Sequence, residues 1–247
     1  MKILIIRHGE PDYSIDSLTP KGWREAELLA DRLCRLDIQD IYLSPLGRAQ
    51  DTAKETLRRM GRTGETLPWL AEFRGTFIDP ETGRRRHAWD LKPQYWTKHK
   101  ELYDPERWVE NETYSSGNSA EIYRETADGL DALLGRYGYR RDGVLYRTDK
   151  NTDATIALFC HFAVAMNMLA HLTGMAMVPL QHAFLMPPSS VMTLITEERA
   201  PGEVFFRCWG LGDTSHLYAA GEPVSQMGLF HEIYGRDEGL GAKADNS

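Results

Sequence analysis

Met1-Lys-Ile-Leu-Ile-Ile-Arg-His-Gly-Glu10 is the stretch whose reading decides the fold. Ile3 to Ile6 is a continuous apolar run, which predicts a short strand buried on both faces, as in a parallel sheet. Arg7, His8, Gly9 and Glu10 follow where the strand must give way to a loop. Open α/β sheets bind their ligands at the carboxyl ends of strands. A cation, an imidazole and a residue without a side chain at such an edge suit a nucleophile approached by an anion. Its partners must come from the rest of the chain.

Moving outward, Thr19-Pro20 gives a helix start, with Thr19 as N-cap and Pro20 in the first turn. Trp23, Ala26, Leu29, Ala30, Leu33 and Leu36 recur at helical spacing after it. Asp40 to Ser44 reads as a second strand. Ser44-Pro45 repeats the start signal, and Leu46, Ala49, Ala53, Leu57 and Met60 form an apolar face as far as Gly61. Such alternation points to βαβ units: an α/β fold, a three-layer α/β/α sandwich with a mainly parallel central sheet. Thr66 to Leu70 is expected as a third strand ending just before Glu72. From about 73 to 117 the periodicity is lost among Trp, Tyr, Pro and charged residues. A structureless loop of that length is unusual in a compact domain, so an inserted cap with short helices is expected, cored by Trp89, Trp96 and Trp108. Ser119 to Tyr137 returns to helix. Thr155 to Cys160 is a further strand with His161 directly after it, and Phe162 to Leu172 is a helix stopped by Gly174. Val191 to Thr196 and Val204 to Trp209 read as a strand pair joined by the turn 197–202. One domain over 1–234 and a disordered tail over 235–247 complete the expectation.

A chain of 247 residues holds one large α/β domain, or such a core with an insertion. Its formal net charge of −7 argues against general nucleic-acid binding, which favours a basic surface. Cys34, Cys160 and Cys208 form no CxxC pair, so neither a disulfide framework nor a zinc-thiolate site is indicated. Reduced thiols fit a cytoplasmic protein, and the first apolar run is too short for a signal peptide. The most apolar segment, Ala154 to Leu172, is interrupted by His161, Asn167 and His171, which are expensive in lipid. A buried strand followed by a helix explains it better than a membrane span.

His8 and His161 share one local context, each directly after a buried strand. If those strands are neighbours, both imidazoles reach one pocket. Arg7 travels with His8. Arg48 falls in the first turn of the second helix, where backbone N–H groups also favour an anion. Two histidines, two arginines and a helix N-terminus describe a phosphate site, for which the planar guanidinium fork is well suited.

With these residues in place the chain resembles the histidine phosphatase superfamily, also called phosphoglycerate mutase-like. Arg7-His8-Gly9-Glu10, Leu18-Thr19-Pro20-Lys21-Gly22 and the run from Ser44 to Ala53 match its first elements. Leu70-Ala71-Glu72 resembles its acid-bearing element, His161 its second histidine, and Asp213 to Leu217 a late segment of phosphatase members. The resemblance implies a metal-independent, cofactor-free phosphoric monoester hydrolase acting on a small phosphorylated substrate. It implies that His8 attacks phosphorus and forms a phosphohistidine. Arg7, Arg48 and His161 would stabilise the transferring oxygens, and Glu72 would serve as general acid and then base. Phosphoglycerate mutase-type transfer, or a catalytically idle phospho-ligand-binding module, is the alternative.

The chain departs from the family pattern in places. Phe162 stands where Gly commonly follows the second histidine, and is expected to reshape the pocket. Ser14 stands where Asn is common. After Glu72 the chain reads Phe73-Arg74-Gly75 in place of the mutases' Glu-Arg-His-Tyr-Gly pattern, which favours hydrolysis over transfer. Arg84, Arg85 and Arg86 read either as a solvated loop or as the grip for a second anionic group. His216 reads equally as a pocket residue or a packed histidine.

Overall fold

The computed structural model describes residues 1–228; the tail expected from Gly235 lies outside the described residues. The first strand, β1 (Lys2–Arg7), is buried on both faces after Lys2. It lies at the centre of an eight-stranded sheet. The other strands are β2 (Asp40–Leu43), β3 (Glu65–Thr66), β4 (Arg140–Asp142), β5 (Leu145–Arg147), β6 (Thr155–Cys160), β7 (Val191–Ala200) and β8 (Glu203–Asp213). Their order is β3-β2-β6-β1-β7-β8-β5-β4. β3, β2, β6 and β1 pair in parallel. From β1 to β4 every pairing is antiparallel, so only β7 and β5 oppose the common direction.

Alternation along the central strands divides the core into two layers. Ile3, Ile5, Ile156 and Leu158 face helices α3 (Ser119–Gly135) and α4 (Phe162–Thr173), packing with Leu130, Leu134, Val164 and Met168. Leu4, Ile6, Ala157 and Phe159 face α1 (Pro20–Leu33) and α2 (Gly47–Met60), packing with Leu29, Leu33 and Ala53. This is the expected α/β/α sandwich. Ala154 to Leu172 resolves into β6 and α4, with Asn167 bonded to Gln181 and His171 to Asp131. Among the described residues no helix is long and apolar enough to cross a membrane.

Several boundaries differ from expectation. The strand expected over Thr66 to Leu70 is only Glu65–Thr66, followed by a 3₁₀ turn over Pro68–Leu70. Pro68 has no N–H to continue the ladder. α2 begins at Gly47 instead of Pro45, because Ser44 still belongs to the sheet edge, donating its N–H to Phe159 O at 2.8 Å. The charged hairpin β4–β5 carries no apolar alternation and was not expected. The late strand pair is present as read, antiparallel and longer, and turns at Pro201-Gly202, where Gly202 takes φ +75°. Residues 73–117 hold a small hairpin, Thr76–Ile78 with Arg85–His87, and isolated helical turns. Trp96 and Trp108 do not make a core of their own. They join the apolar cluster on the α3–α4 face of the sheet, and Trp89 packs against it.

The start of α1 presses on the turn after β1. A Cβ on Gly22 would lie 2.2 Å from the Glu10 carbonyl oxygen, and one on Gly9 would lie 2.8 Å from Gly22 O. Backbone cannot yield there as a flexible side chain could. Gly22→Ala is therefore expected to cost about 1–3 kcal/mol, measured as a lowered urea midpoint. An unchanged midpoint would show that the two backbones can part freely.

Candidate active site

The register of β1 on β6 builds the site. Arg7 pairs with Cys160, so His8 and His161 leave the sheet side by side, their ring centroids 5.1 Å apart. His8 is held by its own backbone: its N–H donates to Cys160 O at 3.0 Å and its carbonyl accepts from Ser189 N at 2.9 Å. Nδ1 of His8 lies 2.7 Å from the Gly9 carbonyl oxygen. A carbonyl only accepts, so Nδ1 carries the proton and Nε2 carries the lone pair. Burial, then the charges of Arg7 and Arg48, push the His8 imidazole well below its ordinary range, against the pull of the Gly9 bond. The ring is neutral at neutral pH.

His161 is fully buried at the N-cap of α4. Its Nε2 lies 2.7 Å from Ser44 Oγ, which already accepts from Leu46 N–H at 3.2 Å. Among the described residues the Ser44 hydroxyl has no other acceptor, so its proton points at Nε2 and the ring proton sits on Nδ1, a buried atom with no partner there. Burial first, then His8, Arg48 and Arg7, lower the pKa of His161 well below the ordinary value.

Each arginine is tied at one nitrogen. Arg7 Nη1 donates to the Met186 carbonyl oxygen, and its guanidinium lies over Phe162, 5.9 Å from the ring centroid. Arg48 Nη1 donates to Asp16 Oδ1 at 2.6 Å, and its guanidinium lies 5.5 Å from the centroid of the Tyr13 ring. The other oxygen of Asp16 accepts from Gly47 N–H at 2.7 Å, capping α2 where Leu46 has no side-chain cap to offer. Among the described residues the Nε atoms of Arg7 and Arg48 are both buried without a partner. Buried donors of this kind call for an acceptor, and a tetrahedral oxyanion supplies several at once.

Glu72 Oε1 accepts three backbone N–H groups, from Phe73 at 2.8 Å and from Ala163 and Val164 at 3.1 Å each. The last two are orphan amides of the first turn of α4. Oε2 takes none of these bonds. Burial raises the pKa of Glu72, and the Phe73 and Val164 amides, Arg7 and Arg48 oppose the rise.

His8, His161, Arg7, Arg48 and Glu72 therefore share one site, while the remaining expected residues are placed differently. Phe162 lies under Arg7 and is part of the site's wall. Ser14 is exposed and turns back on Asp12, its N–H 3.0 Å from Asp12 Oδ1. Arg86 is paired with Asp79 and Asp90, Arg85 donates to Thr76 Oγ1 at 3.1 Å, and Arg84 is exposed. His216 is buried 3.2 Å from Ser189 Oγ, and its pKa is lowered to about 4 by burial and Arg32 against Asp213. Sequence reading missed Asp16, Ser44, Thr52 and Glu25. Thr52 Oγ1 receives the Gly9 N–H at 2.9 Å, and Glu25 Oε2 the Glu10 N–H at 2.8 Å. The last two carried a signal: each is polar on the apolar stripe of its helix. Among the described residues no group of three or more His, Cys, Asp or Glu side chains is arranged to hold a metal ion.

The family model described as histidine phosphatase superfamily (branch 1) matches residues 3–207. A 2,3-bisphosphoglycerate-dependent phosphoglycerate mutase of Thermoplasma acidophilum is 43% identical over a stretch covering 22% of this chain and 32% of the mutase. The chain thus matches about a third of that relative's length. Among solved structures, a phosphoserine phosphatase of Entamoeba histolytica superposes with TM-score 0.59 at 21% identity, covering 87% of this chain and 98% of that one. A mycobacterial glucosyl-3-phosphoglycerate phosphatase gives TM-score 0.59 at 17% identity, covering 86% and 99%. At these identities the likeness is one of fold.

Neutral buried histidines make stability depend on acid. Folded His8 and His161 resist protonation, whereas unfolded imidazoles protonate near 6.5. Below that pH the unfolded state binds more protons, so stability falls as pH falls. Between pH 7 and pH 5 the urea midpoint of the parent is expected to fall relative to that of His8→Asn, because the raised carboxyls of Glu25 and Glu72 act in the opposite sense but are common to both proteins. Parallel losses in the two proteins would contradict neutral burial of His8.

Proposed function

Because the chain belongs to the histidine phosphatase superfamily, we propose that it is a phosphatase that hydrolyses small phosphomonoesters through a phosphohistidine on His8. The observation that carries the reading is the His8 tautomer: Nδ1 is committed to Gly9 O, which leaves the Nε2 lone pair as the nucleophile. Nε2 bonds to phosphorus as the bond from phosphorus to the leaving oxygen breaks. Arg7 and Arg48 offer the transferring oxygens their unpartnered Nε–H groups, and His161 its Nδ1–H. Glu72, with Oε1 occupied by amides, holds its proton on Oε2 and gives it to the leaving oxygen. It then takes a proton from water as that water attacks phosphorus and frees His8. Cationic side chains do the charge work that a metal ion does elsewhere, so no metal is required. Residues 73–117 serve as the cap that selects substrate. They touch the site at Phe73 N–H, which donates to Glu72, and reach towards it through Leu91 N–H, which donates at 3.2 Å to His182 on the short helix preceding the Arg7 anchor at Met186. Free Cys34 and Cys208 are exposed thiols, as suits the cytoplasm.

Phosphoglycerate mutase activity is the second reading, favoured by the local match to the archaeal mutase. A mutase needs extra cations for a second anionic group of its substrate. The triple arginine was the feature that could supply them, and two of its members are engaged by neighbours within 73–117. Hydrolysis is therefore the better reading.

His8→Ala is expected to abolish phosphate release and acid-trapped covalent label while leaving the unfolding free energy within about 1 kcal/mol of the parent. Full turnover in that variant would end the proposal. In a panel of phosphomonoesters assayed beside 3-phosphoglycerate primed with 2,3-bisphosphoglycerate, release of phosphate should dominate. Rapid isomerisation without release would establish the mutase reading instead. Dialysis against chelator should leave the rate unchanged, and a loss restored by Mg²⁺ or Zn²⁺ would show that the charge work has been misassigned.

A further inference from the structure

Helix α1 buries a carboxylate that the mechanism above does not use. Glu25 is fully buried on the stripe formed with Gly22, Ala26, Leu29 and Leu33. Its Oε2 accepts from the Glu10 N–H at 2.8 Å. That N–H belongs to the peptide joining Gly9 to Glu10, and the carbonyl of the same peptide accepts from His8 Nδ1 at 2.7 Å. One rigid planar amide thus stands between carboxylate and imidazole, its donor end on Glu25 and its acceptor end on His8.

Bonds in such a chain polarise one another. Negative charge at the N–H end increases electron density on the Gly9 oxygen and strengthens its bond to Nδ1–H. That bond keeps the lone pair on Nε2. It also stabilises the positive charge that spreads over the ring when Nε2 bonds to phosphorus and Nδ1 keeps its proton. We propose that Glu25 is a positioning residue for the nucleophile, acting on His8 through the Gly9–Glu10 peptide as the carboxylate of a hydrogen-bonded relay. Thr52, which holds the Gly9 N–H at 2.9 Å, fixes the turn from the other side but has no charge to transmit.

The groups facing Glu25 make its charge adjustable. Lys21 Nζ lies 3.8 Å from Oε1, an atom with no hydrogen-bond partner among the described residues. Glu10 on the turn and Glu222 beyond the last helix oppose ionisation, while Lys21 and the Glu10 N–H favour it. Arg7 is also within electrostatic reach. With burial the largest influence, the carboxyl is pushed up to about 7. The relay is charged above that pH and neutral below it.

The test is ¹H–¹⁵N NMR of the full chain labelled at histidine, with the His8 Nδ1–H signal assigned by its loss in His8→Ala. In the parent protein this signal should shift between pH 6 and 8 with a midpoint near 7. In Glu25→Gln, whose amide oxygen can still accept from Glu10, the shift should vanish. Thr52→Ser should retain the parent midpoint. The kinetic arm rests on the phosphatase reading: Glu25→Gln should form phosphohistidine about tenfold more slowly, as for loss of a bond to a charged group, with KM within twofold. A His8 signal insensitive to pH in the parent, or one with the same midpoint in Glu25→Gln, would overturn the relay. Absence of turnover in the parent would instead sink the phosphatase reading, and the NMR arm judges the relay without it.

Discussion

The parallel pairing of β1 with β6 is the constraint on which the site depends. Side chains alternate faces along a strand, so a slip of one residue would exchange the two buried faces along the whole of β1. Ile3 and Ile5 fill the α3–α4 side while Leu4 and Ile6 fill the α1–α2 side. Those two packings lock the register in which Arg7 meets Cys160, and hence the meeting of His8 with His161. The apolar core is therefore also the positioning device of the polar site.

Once the strands are aligned, the site is shaped by what each cation is denied. Arg7 and Arg48 are anchored at one nitrogen and left with an unpartnered buried Nε. The histidines are kept neutral by burial and by those same arginines. A site of this kind has permanent positive charge only where planar forks supply it, and an uncharged nitrogen where a bond must form. The anchors come from distant segments, Asp16 in the loop before α1 and Met186 after the short helix at 177–183. Several loops must therefore close on the sheet edge together.

Much of this was legible in the sequence. Ile3–Ile6 and Thr155–Cys160 are apolar runs that only buried strands explain, and each leads into a histidine of the candidate site. The half of the sheet beyond β7 was less legible, because Arg140 to Arg147 is charged and pairs through its backbone. Ser44 misled: a serine before proline is a helix-start signal, yet its hydroxyl is spent on His161. Asp16 caps a helix far along the chain, a contact that no local pattern encodes. The arginines at 84–86 read as a cationic cluster until Asp79 and Asp90 are brought against Arg86. Sequence patterns report local propensity and burial period; they are silent on which partner a polar group meets across the fold.

The three amide bonds of Glu72 bear on how its role can be separated from the architecture around it. This carboxylate holds the first turn of α4, and α4 begins immediately after His161. Truncation to alanine removes a helix cap and the proposed proton donor in one stroke, and frees the segment carrying the second histidine. Inactivity of such a variant would be attributable to any of the three. Glutamine keeps an oxygen for the amides and withholds the proton, so only that replacement isolates acid chemistry from scaffold. The proposed acid and the observed support coincide at this residue, and the choice of substitution decides which of them an experiment reads.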